Sequence, residues 1–239
     1  MNIILTGFMG TGKTAVGKRL ARRLGWTFID IDALIEASAK RPVAQIFSER
    51  GESVFRRLER RHINRVIHGR HQVMATGGGA FVDPQNRARL RATGPVICLT
   101  AKPERILARV GRKLEARPLL AGATNPLMRI RTLLHQRAGA YGQADLTIDT
   151  SQLSIDEVVE RLWRQLGPYL CRSWQYLQDH AQTLAQRYAG KYVVVVGDRL
   201  VASGNTQLEA YQNAPPRLKE TSEAGIYYIP LPQESLTAL

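Results

Sequence analysis

Short apolar runs alternate with longer stretches of helical spacing through the first two-thirds of this chain. Asn2–Thr6 (NIILT), Trp26–Asp30 (WTFID), Gln72–Thr76 (QVMAT), Val96–Thr100 (VICLT) and Leu146–Thr150 (LTIDT) are rich in β-branched side chains. Such runs predict strands buried on both faces. Between them, Ala15, Leu20 and Leu24 form one apolar stripe, and Val54, Leu58, Ile63, Val66 and Ile67 form another, each with the spacing of an amphipathic helix. Strands alternating with helices predict an α/β fold: a parallel sheet covered on both sides, with ligands bound at the carboxyl ends of the strands.

The pattern changes near Gly167-Pro168, which divides the chain into expected domains 1–167 and 168–239. Trp174–Tyr188 reads as a helix, KYVVVV and DRLVAS as a hairpin around Gly197-Asp198, Thr206–Gln212 as a helix and Ile226–Ile229 as a last strand. This small α-β-β-α-β unit carries no catalytic constellation. Its stretch VVVVGDRLVASGNTQLEA resembles small appended α/β domains of unknown function. Docking an unknown partner, self-association and stabilisation of the first domain are its open roles.

At 44% hydrophobic and 23% charged, the chain has the balance of a soluble globular protein. Its longest strongly apolar stretch, Tyr192–Val196, is far short of the ~20 residues that a membrane span needs. Met1–Gly10 lacks the basic start of a signal peptide. Cys98 and Cys171 have no metal-binding spacing and suit a reducing compartment, so a cytoplasmic protein is expected. The five histidines show no ligand spacing either.

A formal net charge of +14 raises the question of nucleic acid. Residues 168–239 hold 6 Lys+Arg and 6 Asp+Glu, so the whole excess lies before them. No aromatic-studded basic platform accompanies it, so no nucleic-acid partner is expected. An anionic-substrate pocket and solvated helix faces account for the surplus.

The candidate chemistry starts at Gly7-Phe8-Met9-Gly10-Thr11-Gly12-Lys13-Thr14, a G-x-x-x-x-G-K-[ST] loop after a strand and before a helix. Glycines let backbone N–H groups converge on phosphate oxygens, and the helix start adds its positive end. Gly10, Thr11, Gly12, Lys13, Thr14 and Ala15 are therefore candidate nucleotide-binding residues. Lys13 is suited to the β- and γ-phosphates and the Thr14 hydroxyl to Mg²⁺.

Asp30 and Asp32 end the second run as FIDID, and period two points both to one side. One carboxylate there can meet a metal through water and the other can bind hydroxyls. The competing assignment is a helix cap. Arg56 and Glu59 lie at the margin of an apolar stripe, where an arginine held by a carboxylate can fork onto an anion; an ordinary surface ion pair has the same spacing. Gly77-Gly78-Gly79 follows the third run and invites close approach to the backbone. The basic, glycine-flanked segment Gly111–Gly122 is a candidate lid carrying Arg117. Arg137, late in RIRTLLHQRAGAY, supplies a second cation.

Taken in order, GFMGTGKT, the DID pair, GE-x-x-FRRLE, GGG and RPL resemble the shikimate kinase family over roughly residues 1–165. That resemblance implies a P-loop three-layer sandwich of nucleoside monophosphate kinase type. It implies ATP-dependent phosphorylation of the shikimate 3-hydroxyl, a step of aromatic amino acid biosynthesis, with Mg²⁺. By the same resemblance Asp32 binds the shikimate hydroxyls and takes a proton. Arg56 and Arg137 hold the carboxylate, and Gly78 offers a backbone contact. Asp30 positions Mg²⁺ through water, with Thr14 as direct ligand; Arg117 reaches the phosphates and Arg109 lies near adenine. The chain departs from the family at Arg137-Ala138-Gly139-Ala140-Tyr141, where R-x-P-L-Y is usual, and in a lid about one residue longer. Loss of the proline is expected to soften that helix end. Two other readings stay open: a kinase of another small hydroxy acid such as gluconate, and a nucleotide-binding regulatory protein with a decayed acceptor site.

Overall fold

All five apolar runs of the first domain become strands: β1 (Ile3–Thr6), β2 (Thr27–Asp30), β3 (Gln72–Ala75), β4 (Val96–Thr100) and β5 (Leu146–Asp149). The computed structural model describes residues 1–111, 114, 117–170, 172–218, 224–229 and 231. The strands form one parallel sheet in the order β2-β3-β1-β4-β5. Strand β1 is central. Its Ile4 joins a core cluster with Phe8, Val96 and Cys98, while the alternate residues Ile3 and Leu5 are equally buried. Burial on both faces requires a helical layer on each side of the sheet, hence three layers.

The helices are α1 (Lys13–Leu24), α2 (Ile31–Ala39), α3 (Val43–Val66), α4 (Pro84–Arg91), α5 (Pro103–Val110), α6 (Pro126–Tyr141) and α7 (Ile155–Leu170). Two of the expected stripes are rotated. In α1 the buried residues are Val16, Gly17, Leu20 and Ala21, whereas Ala15 is exposed. Gly17 sets this face, because its missing side chain admits Phe28 and Leu5. In α3 the buried face of the C-terminal half is Phe55, Glu59 and Ile63 rather than Val54 and Leu58. Gly51, at φ 80° and ψ 166°, breaks α3 and resets its face. Phe47 and Phe55 pack across that break with ring centroids 4.7 Å apart.

The pairing of Asp30 and Asp32 along one strand does not hold. The chain leaves β2 at Asp30, whose carboxylate caps α2 by accepting from the backbone N–H groups of Asp32 (3.1 Å) and Ala33 (3.4 Å). Asp32 therefore stands in the first turn of a helix.

The chain divides into two compact units, Met1–Leu162 and Trp163–Leu239. This division and the 167–168 change of charge both lie within α7. The second unit contains α8 (Arg172–Asp179), α9 (Ala181–Tyr188), β6 (Lys191–Val196), β7 (Arg199–Gly204), α10 (Gln207–Asn213) and β8 (Ala224–Ile229). The single helix expected over Trp174–Tyr188 is two, because His180 leaves the helical dihedrals (φ −113°, ψ 14°). The strands form an antiparallel sheet in the order β7-β6-β8. Val193 and Val195 face a cluster with Leu184 of α9, and Val194 faces one with Ala210 of α10. Cover on both faces explains the unbroken VVVV. Gly197, at φ 61°, makes the hairpin turn. Cys171 lies outside the described residues, and Cys98 is a buried free thiol. Among the described residues no helix is long and apolar enough to cross a membrane.

Candidate active site

The loop between β1 and α1 folds as a phosphate cradle. Gly10 and Gly12 have φ of 76° and 96°, and Gly12 is the N-cap of α1. Residues with side chains rarely adopt this left-handed backbone. Thr11 is fully buried and its hydroxyl donates to Phe8 O at 2.8 Å. The Lys13 Nζ donates to Gly7 O and Phe8 O, both at 2.8 Å. Burial lowers its pKa to about 8, against the raising pull of Asp32 and Asp30. Thr14 Oγ1 donates to Asp30 Oδ2 at 2.8 Å, so the capping carboxylate ties α2 to the start of α1.

A cleft of about 570 Å³ opens beside this loop at the carboxyl ends of the strands. Its walls include Gly10, Gly12, Lys13, Thr14, Ala15, Asp30 and Asp32 on one side. Arg56, Gly78, Arg117 and Arg137 line it as well. Thr11 and Arg109 do not line it. Arg109 instead donates to Gly10 O (3.2 Å), Thr150 Oγ1 (2.9 Å) and Thr150 O (2.6 Å), bracing the loop from behind. Of the lid, Arg112, Lys113, Glu115 and Ala116 lie outside the described residues.

The three consecutive glycines make room for three different groups. A Cβ on Gly77 would stand 2.8 Å from both Asp32 Oδ1 and Glu59 Oε1. On Gly78 it would stand 3.2 Å from Arg137 Nη1, and on Gly79 it would overlap the Arg56 guanidinium. Close approach, more than flexibility, is what this turn requires.

Two acids of the cleft, Asp32 and Glu59, are held above their ordinary range. Asp32 Oδ1 and Glu59 Oε1 are buried without a hydrogen-bond partner. Burial first, and the Asp30 charge second, hold the Asp32 carboxyl above its ordinary range. Burial pushes Glu59 up to about 7, against the attraction of Arg56. Arg56 donates from Nη1 to Glu59 Oε2 at 2.9 Å. Its Nε and Nη2 both reach Glu52 Oε1, at 3.1 and 2.9 Å. Arg137 is 8% exposed and stacks 5.4 Å from the centroid of the Phe8 ring.

The RAGAY sequence does not end α6 early: the helix continues to Tyr141, whose hydroxyl donates to Gly78 O at 2.6 Å. Arg137 and Tyr141, four residues apart, thus meet the same glycine. Sequence reasoning gave Tyr141 no part in the site and did not foresee that Gly77 makes room for two carboxylates. The i, i+4 spacing from Arg137 was the signal available for Tyr141.

A family model described as Shikimate kinase matches residues 9–167, and one described as a family of unknown function (DUF5678) matches residues 183–232. The shikimate kinase of Thermoanaerobacter pseudethanolicus is 47% identical over 161 residues, covering 67% of this chain and 93% of that protein. That of Desulforudis audaxviator is 51% identical over 158 residues, covering 66% and 82%. Among solved structures, shikimate kinase from Acinetobacter baumannii in complex with shikimate matches with a TM-score of 0.67 and 36% identity. The match covers 70% of this chain and 93% of that one.

Proposed function

Because this chain belongs to the shikimate kinase family, we propose that it transfers the γ-phosphoryl group of ATP to the shikimate 3-hydroxyl, giving shikimate 3-phosphate and ADP. The observation that carries this reading is the meeting, in one cleft, of Lys13, Asp32, Arg56 and Arg137. Two guanidinium groups suit a carboxylate, a buried acid suits hydroxyls, and the adjoining loop suits a triphosphate.

Asp32 accepts the proton of the attacking hydroxyl as its oxygen bonds to the γ-phosphorus, and the bond from phosphorus to the β-phosphate oxygen breaks to release ADP. Arg56 and Arg137 hold the carboxylate so that the hydroxyl stands in line, with Gly78 contacting the same ligand. Lys13 and Arg117 neutralise charge on the transferring group. Gly10, Gly12, Thr14 and Ala15 cradle the phosphates, and the buried Thr11 holds the loop's shape through its bond to Phe8 O. The Thr14 hydroxyl and Asp30 carboxylate, 2.8 Å apart, form an all-oxygen donor set that fits Mg²⁺. Thr14 and Asp30 would hold Mg²⁺, which would supply charge neutralisation at the phosphates. For Arg109 the contacts to Gly10 and Thr150 favour a bracing role over direct adenine contact.

Coupled ADP release with shikimate and with gluconate as acceptors tests the reading. Turnover confined to shikimate is expected, and none at millimolar shikimate with ATP binding intact would defeat it. The continuous α6, which keeps Arg137 in the cleft, argues against a decayed acceptor site.

Two further outcomes follow from the geometry. Gly79→Ala drives a methyl group into the Arg56 guanidinium, so the KM for shikimate should rise about ten- to a hundredfold, the value of a charge-assisted hydrogen bond. The KM for ATP should hold. For pH, phosphates favour the protonated Lys13, whose pKa is about 8 in the free enzyme. ATP affinity should therefore be flat below pH 8 and weaken above it by up to about tenfold per unit. Titration calorimetry in buffers of different ionisation enthalpy should register uptake of a proton above pH 8. An affinity that is unchanged from pH 7 to 9.5 would contradict it.

A further inference from the structure

The Arg56 guanidinium already binds two carboxylates before any ligand arrives. Its Nη1 is held by Glu59, whose side chain is fully buried, and its Nε–Nη2 edge by Glu52, whose side chain is 52% exposed. We propose that Glu52 is a specificity-determining residue: its carboxylate occupies the Arg56 fork in the free enzyme and only an acceptor bearing its own carboxylate displaces it. This rests on the proposed function, in which Arg56 receives the acid group of shikimate.

Three observations favour displacement of Glu52 over Glu59. Both donors of the Arg56 edge converge on one oxygen, Glu52 Oε1, whereas the strong arrangement is two parallel bonds to two oxygens. An incoming carboxylate can form that arrangement. Exposure makes the Glu52 bond cheap to break, because surface ion pairs are worth about 0–1 kcal/mol. Breaking the Glu59 bond instead would leave a buried charge unpaired. Glu52 also has somewhere to go. It follows Gly51, where the helical dihedrals restart, so a released Glu52 stays at a helix start, which favours negative charge.

The selectivity is then a competition. A neutral polyol cannot replace a carboxylate on Arg56, so it binds without that contact. An acid exchanges one ion pair for a better one.

The test is equilibrium binding of shikimate and of its methyl ester to the full chain, for wild type, Glu52→Gln and Glu52→Asp. Glu52→Gln should bind shikimate about two- to fivefold more tightly, the span of a surface ion pair, and the ester less than about twofold more tightly. Glu52→Asp keeps the charge and shortens the arm, so it should also gain for shikimate. A gain in Glu52→Gln with none in Glu52→Asp reports distant charge alone and overturns the contact, as does an equal gain for the ester. Wild type that binds shikimate while neither variant gains overturns this inference alone. Wild type that binds no shikimate overturns the proposed function and takes this inference with it.

Discussion

Asparagine at position 32 should lower kcat with shikimate by about 10²- to 10⁴-fold, the usual worth of a positioned general base, while ATP affinity stays close to wild type. The substitution keeps shape and removes basicity. Asp32 Oδ1 is buried and unpartnered, beside the gap left by Gly77 and opposite Glu59. An unpaired buried acceptor of this kind is costly unless a ligand donor meets it, and a substrate hydroxyl is such a donor. Burial and the neighbouring Asp30 raise its pKa, which makes the carboxylate a better proton acceptor than an exposed one. Turnover by wild type should rise with pH as this group ionises, and the variant should lose that limb. Steady-state kinetics across pH, with nucleotide binding measured separately, decide the matter. A variant turning over at the wild-type rate would remove Asp32 from the chemistry.

Glu59 adds a second pH effect of known sign. Its pKa is raised from 4.5 to about 7 by burial, so the folded state holds its proton more tightly than the unfolded chain. The stability this contributes is fully present below about 4.5 and is lost as pH rises through 7.

What was legible in the sequence is what is local. The apolar runs gave the strands of the first domain nearly to the residue; the inner strands β1, β3 and β4 are buried on both faces as expected, whereas the edge strands β2 and β5 are half exposed. The phosphate loop was legible too, since its geometry depends on consecutive residues. What stayed hidden depends on partners distant in the chain. Spacing alone left Glu59 open between a carboxylate that holds Arg56 and half of a surface ion pair; its side chain is fully buried, with Arg56 from its own helix and the Gly77 gap from another element beside it. Asp32 was read on a strand from alternation alone; the competing assignment, a helix cap, is the one that holds for Asp30, and it puts Asp32 in the first turn of α2. Arg109 was read by likeness as a ligand contact, while Thr150 and Gly10, 41 and 99 residues away in sequence, bind it. The face of α3 depends on the break at Gly51, which a stripe drawn through uninterrupted helix cannot register.

Methionine at position 13 should abolish both halves of the reaction at once. The side chain keeps its length and loses its charge, so ATP should bind at least about a hundredfold more weakly and kcat/KM should fall by about 10³-fold or more, as expected when a preorganised cation facing the transferring phosphoryl group is removed. Joint loss distinguishes this position from Asp32, where binding survives. Stability supplies an independent reading. Burial lowers the Lys13 pKa from 10.5 to about 8, so between these values the unfolded chain carries the extra proton. Wild-type stability therefore gains from this group as pH rises from 8 to 10.5. The methionine variant should lack that gain, and ATP should no longer raise its Tm. Thermal unfolding of both proteins at pH 7.5 and 9.5, with and without ATP, separates the outcomes. A variant stabilised by ATP as strongly as wild type would mean that the loop backbone alone holds the phosphates and that Lys13 acts only on the reacting group.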